Sequence, residues 1–177
     1  MTRYVAFLRG VNLGKRTVRS ADLKQAFVEM GFADARTLIA SGNVVFSAGD
    51  TDEEKLTRTI EAGLEKAFGF DIGTVLRSHA ELEAMVASAP FAKIPEGADA
   101  KLYVGLLRER VGGKIELPIG IPGNFDVLSV TERDIFAIAW HMPNGRYGEG
   151  LIGIEKHLPK GTLITMRNWN TILKAAA

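Results

Sequence analysis

The chain has 177 residues, 46% of them hydrophobic and 24% charged, which suits one ordinary folded domain or two small ones and excludes a disordered chain. Lys plus Arg number 22 against 21 for Asp plus Glu, so the net charge of +1 excludes a histone-like polycation while leaving room for a local basic face. Cysteine is absent, which excludes disulfides, thiolate metal sites and cysteine nucleophiles.

The opening MTRYVAFLRG is too short an apolar run before Arg9 for a secretory leader, and no stretch has the length of a membrane span. A soluble cytoplasmic protein with no membrane association is expected. Residues 3–8, RYVAFL, are β-prone and form a predicted first strand. After the loop RGVNLGKRTVR, Ser20 is placed to cap a helix with Leu23, Phe27 and Met30 on one face and Gly31 closing it. ARTLIA and NVVFS are predicted strands around the turn signal SGN. Thr51 and Glu54 then have the spacing of a capping box ahead of a helix whose stripe is Leu56, Ile60, Leu64 and Phe68. FDIGTVLRS is a fourth strand. The order β-α-β-β-α-β is that of the ferredoxin-like plait. HAELEAMVASAP follows as a short helix, and FAKIPEGADA, between Pro90 and the next strand, has the composition of a connector.

The second half opens like the first. YVAFLRGVNLGK from Tyr4 and YVGLLRERVGGK from Tyr103 agree at six of twelve positions, which suggests a tandem duplication. FDVLSV and DIFAIAW flank a TER turn as two strands. YGEGLIGIEKHL is the expected second long helix, weakened by three glycines, GTLITM is a last strand, and NWNTILKAAA a closing helix capped by Asn168. The stretch GGKIELPIGIPGN, rich in Gly and Pro, is expected to replace the first helix of the repeat by a loop or a stub. The fold class read from these elements is α+β: two ferredoxin-like (alpha-beta plait) halves in tandem, with antiparallel sheets and a C-terminal helix. Residues 1–95 make the first half with a linking helix, and 96–177 the second, irregular one.

Four segments offer chemistry. RGVNLGKR, Arg9 to Arg16, combines two glycines, Asn12 and Lys15 after a strand, either as an anion-binding nest or as a solvated loop whose glycines serve only the turn. It is not a nucleoside-triphosphatase loop, because three residues rather than four separate Gly10 from Gly14, and Arg16 stands where Ser or Thr is needed. Around it the segment 1–24 is basic, with Asp22 its sole acid. In TMRNWNT, Asn168 at a helix N-cap favours an anion at the dipole end, Arg167 stands beside it, and Trp169 is either a core anchor or a stacking surface. In ASGNVVF, Ser41 and Asn43 serve a turn or point polar groups into a cleft. His141 follows a strand and is either an acid–base group or a satisfied histidine. No zincin, nucleophile-elbow or dinucleotide pattern occurs, and no metal or cofactor is expected.

FLRGVNLG, ARTLIASGNVVF and TMRNWNT together resemble a bacterial family known as domain of unknown function 1697. That family has openings of the form LRGINVGG, a central TYIQSGNVVF and a terminal TTRNWNTV. The resemblance implies a fold of two tandem ferredoxin-like plaits and no established activity. By position its motif residues are Arg9, Gly10, Asn12 and Gly14, then Ser41, Gly42 and Asn43, then Arg167 through Thr171. The chain departs from the pattern at Lys15, at Leu38, where Tyr is usual, and at Met166, where Thr is usual.

The expected ligand site is one polar cleft made by Arg9, Asn12, Lys15, Ser41, Asn43, Arg167, Asn168 and Trp169. The expected function is a binding module for an anionic small molecule, a nucleotide or phosphorylated metabolite. The rival readings are single-stranded nucleic-acid binding, which the near-neutral charge disfavours, and an enzyme acting in the same cleft.

Overall fold

A computed structural model describes residues 1–11, 14, 16–39, 42–49 and 52–177, with the backbone alone described at 150–152. It is a mixed α/β structure with two antiparallel sheets and, among the described residues, four α-helices, one of them C-terminal. The chain divides into two compact units, Met1–Ala84 with Lys174–Ala177, and Met85–Leu173.

The first unit contains β1 (Thr2–Arg9), α1 (Ser20–Glu29), β2 (Arg36–Thr37), β3 (Asn43–Ala48), α2 (Glu53–Phe68) and β4 (Gly73–Ser78), with strand order β2-β3-β1-β4. Alternation along the strands sends Tyr4, Ala6, Leu8, Val44, Phe46 and Leu76 to the face that packs on Leu23 and Phe27 of α1 and Leu56, Ile60 and Leu64 of α2. The opposite face, with Val5, Phe7, Val45, Val75 and Arg77, is buried as well. Burial on both faces explains why β1 reads as an unbroken apolar run.

Several local expectations are corrected. Arg19, whose side chain makes no capping bond, occupies the N-cap of α1, and Ser20 is its first residue. Asp52 caps α2 by accepting from the Lys55 amide at 3.1 Å, one residue after the expected Thr51, and Glu54 pairs with Arg58 one turn on. Thr51 itself lies outside the described residues. Of the described residues in ARTLIA only Arg36 and Thr37 join the ladder, and Ile39 adopts the left-handed region at φ 52°; Ala40 lies outside the described residues.

The helix α3 (His79–Ala87) leads from the first unit to the second. There follow β5 (Ala100–Leu107), β6 (Gly120–Ile121), β7 (Phe125–Val130), β8 (Asp134–Trp140), β9 (Ile164–Asn168) and α4 (Trp169–Ala176), with order β6-β7-β8-β5-β9. The core on one sheet face joins Leu107, Ile135, Ala137, Ile164 and Phe125 to Ile154. The long helix expected in YGEGLIGIEKHL is instead a 3-10 helix at Gly150–His157. The irregular stretch before β7 is a short 3-10 turn at Gly112–Lys114, a cis Leu117–Pro118 peptide and the two-residue β6. No helix among the described residues is long and apolar enough to cross a membrane.

Candidate functional site

The last strand carries the TMRNWNT segment. Ile164 and Met166 on β9 face the core beside Leu107 and Ile135, so alternation turns Arg167 to the other side of the sheet. There its Nη1 donates to Thr165 Oγ1 at 2.7 Å and to the Met166 carbonyl at 2.9 Å. Burial lowers its pKa to about 10, which still leaves a cation at neutral pH. Asn168 ends the strand opposite Tyr103. Its Oδ1 accepts from both the amide and the hydroxyl of Thr171, each at 3.0 Å, which caps α4 as expected. The Trp169 ring stands edge-on to Phe91, with centroids 5.1 Å apart.

Because β9 stops opposite Tyr103, Ala100–Leu102 run on beside β8 with no described strand on their other side. A groove of about 410 Å³ results, lined by Ala100, Lys101, Leu102, Tyr103, Asn168, Trp169 and Asn170. Lys101 is exposed, and its Nζ lies 4.5 Å from the centre of the Tyr147 ring. Among the described residues no carboxylate pairs with that ammonium. The nearest acid in sequence, Asp99, is engaged elsewhere. Its Oδ1 accepts from the Tyr147 hydroxyl, and its Oδ2 is 3.4 Å from His141 Nδ1. The bond to Asp99 raises the pKa of the Tyr147 phenol, so the proton stays on the hydroxyl. The His141 and Tyr147 rings meet edge to face at 5.3 Å.

Of the expected site residues, the groove brings together Asn168 and Trp169. Arg167 is bonded within its own strand and is not in the lining. Arg9 ends β1 opposite Gly73 in the first unit and is half-buried. Asn43 is buried, and its Nδ2 donates to the Leu38 carbonyl at 3.1 Å, which is turn chemistry. Asn12, Lys15 and Ser41 lie outside the described residues. Lys101, Tyr103 and Asn170 were missed. A signal for the first two was present, since alternation from Tyr103 puts Lys101 on the same side of β5. Among the described residues no group of three His, Asp or Glu could hold a metal ion.

A family described as protein of unknown function (DUF1697) matches residues 1–136. No curated protein matches the chain. Among solved structures, the conserved bacterial protein SP0830 from Streptococcus pneumoniae is similar, with a TM-score of 0.73 at 23% identity over 99% of this chain and 97% of that one. At that identity the likeness shows the fold alone.

Proposed function

The chain belongs to the DUF1697 family, whose description names no activity, and we propose from its groove that it is a binding module for an anionic small molecule, a nucleotide or phosphorylated metabolite. The observation that carries this reading is Lys101. Lys101 lines a groove whose other wall is the first turn of α4, and its ammonium has no carboxylate partner among the described residues. Backbone amides and the helix dipole favour an anion there. The side-chain amides of Asn168 and Asn170 add polar contacts, and the rings of Tyr103 and Trp169 add flat apolar surface. A volume of about 410 Å³ suits a small metabolite. The nucleic-acid alternative needs exposed aromatics on the strands, yet Phe7, Phe46 and Phe136 are 0%, 1% and 3% exposed.

We read the two units as ferredoxin-like halves of a tandem duplication, and this also supports the groove. The first unit has the plait's element order and its strand order. In the second, β7-β8-β5-β9 corresponds to β2-β3-β1-β4, with the 3-10 segments where the helices would be. With Tyr4 matched to Tyr103, the pairs Val5–Arg77 and Val104–Arg167 coincide. Each of these arginines donates from Nη1 to the carbonyl before it at 2.9 Å. Each is followed by a cap residue, Ser78 or Asn168, that accepts from the amide three residues on. In the first unit the corner corresponding to the groove holds an oxygen acceptor: the Ala177 carbonyl accepts from Arg3 Nη2 at 2.9 Å and lies 3.4 Å from His79 Nε2. On this reading, the same corner of the second unit is where a ligand would sit.

The test is titration calorimetry and thermal shift with adenosine monophosphate, ribose 5-phosphate and inorganic phosphate. Binding by at least one is expected, weakened roughly tenfold to a hundredfold in Lys101→Ala, the effect of losing one charge-assisted contact. Absence of binding across the panel, or equal affinity in the variant, overturns the reading.

A further inference from the structure

Asp99 and Lys101 are two residues apart and, at strand spacing, leave the chain on the same side. An ion pair between them would take the cation from the groove, and among the described residues no such pair is present. Both oxygens of Asp99 are engaged, one by the Tyr147 hydroxyl and the other by His141, and the Lys101 ammonium rests on the ring of the same tyrosine. Tyr147 is itself held by a turn. Met142 N donates to the Arg146 carbonyl at 2.7 Å, Gly145 takes φ 82°, and Tyr147 pairs with His141 as an isolated bridge. His141 N donates to the Asp99 carbonyl at 3.0 Å, which ties this turn to the start of β5.

We propose that Tyr147 is a positioning residue for the groove: its hydroxyl withholds Asp99 from Lys101 while its ring seats the ammonium, so that the lysine's charge is presented to an anionic ligand. The inference rests on the binding reading above and adds how that site keeps its charge. It makes a prediction that packing alone does not. In Tyr147→Phe the ring remains, but the freed Asp99 oxygen turns to Lys101. Affinity for adenosine monophosphate is expected to fall about three- to tenfold, although no atom lining the groove has been removed. Adding Asp99→Asn to that variant should restore wild-type affinity, and Asp99→Asn alone should bind at least as tightly as wild type.

A ligand-free readout separates this idea from the binding reading. The ε-methylene protons of Lys101 should resonate upfield through the ring current of Tyr147, move downfield in Tyr147→Phe, and return in the double variant. Equal affinity of Tyr147→Phe and wild type, or no recovery in the double variant, overturns the proposal. If the wild type binds no phosphate compound, the binding reading fails, and the ε-methylene signal then decides Tyr147 by itself: a position unchanged in Tyr147→Phe overturns its positioning role, and the shift and return uphold it.

Discussion

Asn168 joins two duties in one side chain, because the oxygen that caps α4 belongs to a residue that also lines the groove. Substitutions can separate them. Asn168→Ala removes an acceptor used by both the amide and the hydroxyl of Thr171, and should lower stability by about 1 kcal/mol in a denaturant titration. Asn168→Asp keeps an equally good cap and suits the positive end of the helix dipole, so stability should hold within about 0.5 kcal/mol. The same substitution brings negative charge into the groove, and phosphate-compound binding should be lost. Wild-type binding by Asn168→Asp would leave Asn168 as a cap and nothing more. The cap was legible in the sequence, since Asn is a strong N-cap residue and Thr171 stands at the third helical position. The setting of its neighbour was not. Whether Arg167 faces the groove or the far side of the sheet depends on β9 running as far as Asn168, beyond the end of the apolar signal in GTLITM.

Elements were legible where side-chain periodicity determined them and illegible where backbone approach did. The stripe of α2 buries Leu56, Ile60 and Leu64 as expected, yet its cap moved by one residue because Thr and Asp both qualify and their order alone does not choose. In the second unit the glycines of GGKIEL and YGEG look like simple helix breakers. Two of them are instead contact points between backbones. A Cβ on Gly112 would stand 1.7 Å from the Thr131 carbonyl oxygen, and one on Gly148 would stand 2.1 Å from that of Asn124. No helix can form through YGEG while Gly148 lies against Asn124 and its amide donates to the Trp140 carbonyl. Adjacent residues give a paired test. Gly112→Ala must push apart the 3-10 turn and the β7–β8 connection, where the Gly112 amide donates to Glu132 at 2.8 Å, and should destabilise by about 3 kcal/mol, the upper end for overpacking. Gly113→Ala meets nothing within 4 Å and should stay within about 0.5 kcal/mol. Similar midpoints for the two variants in urea would mean that the close approach at Gly112 carries no structural weight.

At the scale of the whole molecule, what made some strands easy to read also determines where it should be hardest to open. β1, β5 and β8 each lie between two strand neighbours, and each contains an unbroken apolar run because both faces of its sheet are buried. Such a run needs no partner information to be recognised. β2 and β6 are two-residue edge ladders whose existence depends on the strand beside them, so ARTLIA was predicted too long and β6 was not predicted. The same difference should govern hydrogen exchange. An amide inside a central strand is released only when its neighbours on both sides separate and its apolar side chains meet water, whereas an edge pair frays by itself. Val5 and Phe7 in β1, Val104 and Leu106 in β5 and Ile138 in β8 are all at most 1% exposed, while Gly120 and Ile121 are exposed. The central amides should therefore exchange roughly a thousandfold more slowly than that of Ile121 after correction for intrinsic rates, the ratio given by about 4 kcal/mol of additional opening free energy. Comparable protection of Ile121 and Leu106 would show that β6 is held by something other than its two-residue ladder. It would also break the link between apolar runs in the sequence and local stability in the fold.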